Sequence, residues 1–230
     1  MLIGARNGML VKSGWKNPYV TDGLVAMWDG EWNAGGGKHD PNATVWKDLI
    51  GGNDVGSFVS GVSFGDNYFH LPATKDAASF TPYAVGYIKT IEIVIKPEGN
   101  GGVVFVCFSA LNNNANRWFG IRANSTFNFA HQGDCASVST PTNLHYYAGT
   151  SSSDATIVVP FSGLYLDGTS QTNLFGGMSW GSSVSAGRFN AVASSYAASN
   201  IYTIRLYSRE LTASEIAVNY AVDKARFGLP

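Results

Sequence analysis

The 230-residue sequence predicts an all-β domain made of two facing antiparallel sheets, followed by one short helix. Three observations support this fold class. Short apolar runs bounded by turn residues recur along the chain, and several of them alternate apolar with polar residues as a strand does. Only the segment after Leu211 has the spacing of a helix. Many short strands without an internal repeat indicate a single sandwich.

The apolar runs give the predicted strands in chain order. They are residues 24–28, 55–62, 68–71, 88–95, 103–108, 118–121, 156–161, 164–166 and 201–207. In the fourth run, three alternating isoleucines define a packed face. Glu92 and Lys96 then lie on the opposite, wet face. Pro97 is expected to end the pairing of this strand, because proline lacks the N–H that a ladder needs.

The last strand and the helix after it are the most strongly specified local structure. The strand is expected to pack Tyr202, Ile204 and Leu206 together and to turn Arg205 towards water.

The capping signals fix where the helix begins and ends. Thr212 and Glu215 have the spacing of a capping box, and Leu211 is placed to contact Ile216 as a hydrophobic staple. A glycine and a proline at the end of the chain are expected to end the helix.

Composition indicates a globular protein with few charges. Hydrophobic residues make up 45% of the chain, charged residues 13%, and the formal net charge is −1. This balance argues against nucleic acid as a partner, because binding to phosphates needs a basic face. The only cysteines, Cys107 and Cys135, are expected to be free thiols, because a chain long enough to bury a large hydrophobic core does not need a disulfide for stability.

The N-terminus lacks the apolar run of a secretory signal, and no apolar stretch approaches the length of a membrane span. The protein is therefore expected in the cytoplasm, or in a virus particle that is assembled there. Residues 1–21 contain Arg6, Lys12 and Lys16 and no acid. We interpret residues 1–22 as an arm that anchors a domain of residues 23–230 to an assembly; a loosely packed terminal strand is the alternative.

Five segments carry a family resemblance through their order: residues 23–29, 45–54, 90–97, 164–168 and 204–216. The first reads Gly-Leu-Val-Ala-Met-Trp-Asp, and the second contains Asp-Leu-Ile-Gly-Gly-Asn. In this order they resemble the laminin-G-like and concanavalin A-like lectin/glucanase superfamily. The resemblance implies a jelly roll whose members bind glycans, adhere to proteins or hydrolyse glycans. The leader and residues 219–228 also resemble proteins of gut bacteria and their phages.

The carboxylates do not fit a glycosidase. Retaining hydrolysis needs two carboxylates about 5–5.5 Å apart, and hydrolytic members of the superfamily place them at alternate strand positions. Here Glu92 is followed by Val94 and Lys96. Asp29 and Glu31 form the only near pair, and we interpret them as solvated loop residues. We therefore expect no enzymatic activity, and a glycoside hydrolase is the weakest alternative.

The loop of residues 29–40, Asp-Gly-Glu-Trp-Asn-Ala-Gly-Gly-Gly-Lys-His-Asp, is the richest polar segment. An aromatic ring can stack on the apolar face of a sugar, and side-chain donors and acceptors can bind its hydroxyls. The candidate ligand-binding residues here are Glu31, Trp32, Asn33, His39 and Asp40. In the alternative interpretation, the loop is flexible and Trp32 packs against the sheet edge. A calcium ion bound by Asp29, Glu31 and Asp40 is a further option.

Two weaker candidates complete the predicted site. Arg117 follows a run of asparagines, and Tyr147 lies next to Tyr146 in a polar stretch where one of the two tyrosines is expected to face outwards. His70 and His131 are interpreted as structural.

Together these observations lead to two hypotheses about function. The first is a non-catalytic, glycan-binding adhesion domain on a phage virion or bacterial surface assembly, without a cofactor, whose partners are a host glycan and other assembly proteins. The second is a structural protein that decorates or cements a virion through protein contacts. Self-association into a homo-oligomer is compatible with both.

Overall fold

A computed structural model describes residues 16–74, 78–80, 88–98, 106–109, 121–123, 126–130, 134–139, 143–150, 162–171, 186–189 and 198–230. These residues form antiparallel sheets and one C-terminal helix, so the all-β prediction is confirmed. The predicted strand at residues 156–161, and the side chains of Cys107 and Cys135, lie outside what the structure describes.

The strands are β1 Leu24–Asp29, β2 Val55–Gly56, β3 Ser63–Phe64, β4 Phe69–Leu71, β5 Ala78–Phe80, β6 Thr90–Glu98, β7 Val106–Ser109, β8 Ile121–Ala123, β9 Thr126–Ala130, β10 Asp134–Ser139, β11 His145–Thr150, β12 Gly163–Leu166, β13 Thr169–Ser170, β14 Ala186–Phe189 and β15 Ala198–Tyr207. The helix is α1 Ala213–Phe227.

An eight-stranded sheet organises this part of the chain. Its order is β13-β12-β11-β6-β15-β4-β3. The eighth strand, β1, pairs with the C-terminal half of β15, whereas β4 pairs with the N-terminal half of the same strand. A four-stranded sheet has the order β2-β5-β14-β7, and a three-stranded sheet the order β10-β9-β8.

The larger core cluster joins the eight-stranded sheet to the four-stranded sheet. Ile91, Ile93 and Ile95 of β6 are fully buried in it, as the alternation predicted. Val55 of β2 and Ala78 of β5 belong to the same cluster. Burying this apolar face stabilises the contact between the two sheets.

The opposite face of the eight-stranded sheet is covered by α1. Tyr146, Tyr207 and Ile216 lie in a second buried cluster on this side. Glu92 and Arg205, which were predicted to face water, are fully buried there. That prediction was wrong because alternation separates the two faces of a strand but does not tell which faces another element covers.

A β-bulge changes the side of the sheet on which Tyr202 lies. The register between β15 and β6 shifts between Ile201 and Thr203. The extra residue places Tyr202 in the cluster beside α1, whereas Ile204 and Leu206 lie in the core between the sheets. The prediction that Tyr202 packs with those two residues was therefore wrong.

Strand β6 continues through Pro97, against the expectation that the proline ends the pairing. On one side, β11 pairs with β6 only as far as Ile95. On the other side, β15 still pairs opposite Pro97 through Ser199. Beyond Ile95 the first side of β6 has no partner strand within the described ranges, and proline is tolerated at such an edge.

The helix begins and ends as the sequence predicts. The Thr212 side chain accepts from the backbone N–H of Glu215, and the Glu215 carboxylate accepts from the backbone N–H of Thr212. Leu211 and Ile216 are buried in one cluster. Gly228 closes the helix with φ +69°. No helix within the described ranges combines the length and apolarity needed to cross a membrane.

Residues 17–22 lie against α1. Tyr19 is buried, and its hydroxyl donates to Asp223 at 2.5 Å. The backbone N–H of Val20 donates to Asn219 Oδ1 at 2.9 Å. The packed domain therefore includes the last part of the predicted arm; residues 1–15 of that arm lie outside the described ranges.

Candidate functional site

The loop of residues 29–40 begins at a buried carboxylate. Asp29 ends β1 and is fully buried. Its Oδ1 accepts from the backbone N–H groups of Glu31 at 3.0 Å and Trp32 at 3.3 Å. Arg226 of α1 donates to the two Asp29 oxygens at 2.7 and 3.0 Å. Our interpretation of Asp29 as a solvated loop residue was therefore wrong, because the helix covers it.

Arg226 joins this loop to α1. Its guanidinium carbon lies 3.8 Å from the centroid of the Trp32 ring, and one nitrogen donates to Glu31 Oε2 at 2.6 Å. Burial alone would lower the pKa of Arg226, but the hydrogen bonds and charge of Asp29 raise it above its ordinary value. The group stays charged, so the stacking on Trp32 is a cation–π contact worth about 0.5–2 kcal/mol.

Asn33 holds the two ends of the loop together from inside. Its amide nitrogen donates to the carbonyl of Asp40 at 2.7 Å, and its Oδ1 accepts from the backbone N–H of Asp40 at 2.8 Å. The side chain is fully buried. Asn33 therefore fixes the shape of the loop and does not reach the surface, contrary to its predicted role in contacting a sugar.

The outer surface of the loop is polar. Glu31, His39 and Asp40 are exposed, and Trp32 is half-buried beside them. His39 Nδ1 donates to the Gly30 carbonyl at 3.2 Å. Four of the seven predicted site residues, Glu31, Trp32, His39 and Asp40, thus lie at least partly on the surface of this loop, and Arg226 contacts two of them, Glu31 and Trp32.

Of the remaining two predicted residues, Tyr147 does not join this group. Tyr147 is fully buried in the core between the sheets, and Tyr146 is fully buried on the side of α1. The prediction that one of them faces outwards was wrong, because both faces of β11 are covered. Arg117 lies outside the described residues.

The carboxylates proposed for calcium already have a cationic partner. Asp29 and Glu31 both bind the guanidinium of Arg226. Within the part of the chain that the structure describes, no three His, Cys, Asp or Glu side chains come together as metal ligands do.

Sequence reasoning missed a buried ionic network beneath α1. Arg205 donates from Nε to Glu92 and from Nη2 to Asp223, at 2.5 Å each. All three side chains are fully buried. A signal for it exists in the sequence: Asp223 follows Ile216 by seven residues and therefore lies on the same face of the helix.

Comparisons with known proteins find structures of similar fold but no matching family. No family model matches the sequence, and no curated protein is a significant match. Trypanosoma rangeli sialidase in complex with sialic acid is similar with a TM-score of 0.59 and 16% identity, over 89% of this chain and 33% of the sialidase.

Two further solved structures are similar in the same way. The botulinum neurotoxin serotype G binding domain gives a TM-score of 0.57 at 13% identity, over 88% of this chain and 51% of that one. An HCR/D mutant gives a TM-score of 0.60 at 14% identity, over 89% of this chain and 53% of that one. This chain thus spans from a third to about half of the length of these three structures, and at these identities the likeness concerns the fold alone.

Proposed function

We propose that this domain is a non-catalytic glycan-binding module built on a two-sheet jelly roll. The observation that carries the proposal is the outer surface of the loop of residues 29–40. There, three exposed polar side chains, Glu31, His39 and Asp40, belong to the same loop as the half-buried ring of Trp32. An aromatic surface with a few convergent donors and acceptors suits a sugar, which has apolar C–H faces and hydroxyl groups.

The rigidity of the loop supports this role. Arg226 holds its beginning through Asp29, and Asn33 holds its end through Asp40. A surface that is already ordered loses less conformational entropy on binding, so more of the contact energy remains as affinity.

The comparisons support recognition at the level of the fold. One similar structure is a sialidase that contains sialic acid, and another is the binding domain of a neurotoxin. Since a fold does not determine function, these likenesses support the proposal only together with the loop.

We propose no enzymatic activity. Burial raises the pKa of Asp29 while the hydrogen bonds from Arg226 lower it, and four donors surround this carboxylate. Glu92 is fully buried beneath α1. Neither carboxylate reaches a surface where a glycosidic bond can lie between two acids, as the two-carboxylate mechanism of most glycosidases requires.

We also propose that the domain belongs to a phage virion or bacterial surface assembly. This part rests on the sequence resemblance of the leader and of residues 219–228 to proteins of gut bacteria and their phages. The packing of residues 17–22 on α1 limits the proposed anchor to residues 1–15.

A decoration or cementing protein is the second candidate. The observation that favours it is the composition of the chain, with 13% charged and 13% aromatic residues. The cores of protein–protein interfaces are likewise low in charge and rich in aromatic residues.

Glycan arrays with the wild type and the variants Trp32→Ala and Trp32→Phe test the leading proposal. Removing an aromatic anchor typically weakens binding about tenfold or more, so we expect this loss for Trp32→Ala. Trp32→Phe keeps a ring under Arg226 and should retain most of the binding. Thermal melts confirm that both variants fold. A wild type that binds no glycan, or equal binding by Trp32→Ala, would contradict the proposal.

A further inference from the structure

A second polar and aromatic surface lies beside the loop, on the side of the eight-stranded sheet that α1 covers. We call it the tyrosine patch, and it consists of Tyr68, His70, Glu98, Asn200 and Tyr202. His70 lies between Phe69 and Leu71, which are buried between the sheets. Because side chains alternate along a strand, His70 faces the opposite side, beyond the C-terminal end of α1.

Strand pairing brings the polar members of the patch together. His70 of β4 lies opposite Asn200 of β15, and Asn200 lies opposite Lys96 of β6. Glu98 is two residues further along β6, on the same face. Lys96, which borders the patch opposite Asn200, balances the negative charge of Glu98, so the surface has no excess positive charge that favours an anionic ligand.

A chain of hydrogen bonds sets the direction of the donors of Asn200 and His70. The Asn200 amide nitrogen donates to Glu98 Oε1 at 2.8 Å, because an ionised carboxylate only accepts. Asn200 Oδ1 therefore faces His70, whose Nδ1 carries the proton and donates at 2.9 Å. In the neutral imidazole, Nε2 is then an acceptor.

The chain thus ends in two acceptors. These are His70 Nε2 and Glu98 Oε2, and neither is hydrogen-bonded to another residue within the described ranges. Glu98 Oε2 lies 4.0 Å from His70 Nδ1, too far for a hydrogen bond. Two neighbouring acceptors match two adjacent hydroxyl groups that both donate.

Two tyrosines form the aromatic part of the patch. The ring centroids of Tyr68 and Tyr202 are 5.7 Å apart, and both side chains are half-buried. The Tyr68 ring rests on the backbone of Gly65, where any larger residue would collide with it. Burial, Tyr68 and Glu98 all raise the pKa of Tyr202, so its hydroxyl remains a donor at neutral pH.

The patch is continuous with the loop. The ring of Phe227 lies 5.3 Å from that of Tyr202. The guanidinium of Arg226 lies 4.5 Å from the Phe227 ring and 3.8 Å from the Trp32 ring. A row of contacting aromatic rings and the Arg226 guanidinium therefore runs from the sugar site proposed for the loop to the tyrosine patch.

We propose that the tyrosine patch is a second sugar-binding subsite, which takes a neutral pyranose. His70 Nε2 and Glu98 Oε2 accept hydrogen bonds from two adjacent hydroxyls, and a C–H face of the sugar lies on Tyr68 or Tyr202. This inference rests on the proposed function, since it extends the same binding surface.

Titrations of 15N-labelled protein followed by NMR test the subsite. The probes are the methyl glycosides of glucose, galactose, mannose, fucose, xylose and N-acetylglucosamine, with N-acetylneuraminic acid as the anionic comparison. We expect a neutral sugar to shift the amide signals of residues 68–71 and 198–202. Glu98→Gln should weaken this binding about tenfold, because it replaces an acceptor with an amide group at a site that needs an acceptor.

Two histidine variants serve as matched controls. His70→Ala should abolish the shifts in the patch and leave those at residues 29–40, whereas His39→Ala should do the reverse. Glu98 is 42% exposed, so Glu98→Gln should keep the fold, which thermal melts verify.

The outcomes separate this inference from the proposed function. Shifts at residues 29–40 without shifts in the patch would overturn the subsite and leave the glycan-binding proposal in place. Stronger binding of N-acetylneuraminic acid than of every neutral sugar at the patch would overturn the neutral-sugar specificity. If no sugar shifts any signal, both proposals fail.

Discussion

Arg205 is a buried cation whose two partners are buried as well. Burial by itself lowers the pKa of Arg205, but Asp223 and Glu92 raise it well above its ordinary value, so the group stays charged. The ring of Tyr19 lies 4.0 Å from the guanidinium carbon and covers it. Such a network contributes little net stability compared with an apolar core, but its interruption leaves charges without partners.

Substituting Arg205 should therefore be costly. Arg205→Met removes the shared partner of Glu92 and Asp223, and we expect the free energy of unfolding to fall by about 3–5 kcal/mol. Urea denaturation followed by tryptophan fluorescence measures it. Arg209→Met is the matched control: Arg209 pairs with Glu215 at the surface, where a salt bridge is worth about 1 kcal/mol or less. Equal losses in the two variants would contradict the structural role given to Arg205.

At the residue scale, the sequence predicts which residues lie in the loop better than it predicts which of their side chains are exposed. It places Trp32, His39 and Asp40 in one loop because they are close in the chain. It does not place Asn33 inside that loop or Arg226 on Trp32. The second contact joins residues almost two hundred positions apart, so no local pattern contains it.

Among the elements, α1 is the one that the sequence specifies fully. Its capping box, staple and terminal glycine involve residues at most five positions apart. The bulge at Tyr202 is different, because it depends on how β15 pairs with β6. Local chemistry therefore predicts the ends of the helix, whereas the register of a strand requires its partner.

The cap makes α1 sensitive to acid. Hydrogen bonds from Arg209 lower the pKa of Glu215 from 4.5 to about 2, against the opposing effect of burial. Because the folded-state pKa lies below the unfolded one, the stabilisation is complete above pH 4.5 and is lost as the pH falls towards 2. We expect Glu215→Gln to melt below the wild type at pH 7, and this difference to shrink between pH 4.5 and 2.

Circular dichroism melts at a series of pH values measure this effect. Asp66→Asn, which changes an exposed acid outside the cap, should differ little from the wild type throughout. A difference between Glu215→Gln and the wild type that does not vary with pH would show that the charge of Glu215 is not what stabilises the cap.

For the molecule as a whole, the alternation of apolar residues predicts the class of fold and several of its strands. It does not predict that both faces of the eight-stranded sheet are covered, since that depends on where α1 packs after the chain turns at Leu211. For the same reason, the network around Arg205 and the burial of both Tyr146 and Tyr147 follow from tertiary packing rather than from the sequence of one strand.

The start of the chain connects stability with the proposed assembly role. Tyr19 covers Arg205 and donates to Asp223, and Arg226 donates to the Tyr19 hydroxyl at 2.5 Å. Deleting residues 1–21 removes this ring and uncovers the network. We expect it to lower the free energy of unfolding by about 3–5 kcal/mol, as the loss of a buried aromatic side chain does.

A chain that begins at Lys16 separates the role of this segment in stability from its proposed role in assembly. It keeps every contact of Tyr19 and Val20 given above, so urea denaturation should show nearly the stability of the full chain. If residues 1–15 are the anchor, this shorter deletion abolishes incorporation into the assembly while glycan binding persists. Equal stability after deletion of residues 1–15 and of residues 1–21 would mean that the segment around Tyr19 does not hold α1 in place. A loss of assembly after the longer deletion would then report on the anchor alone.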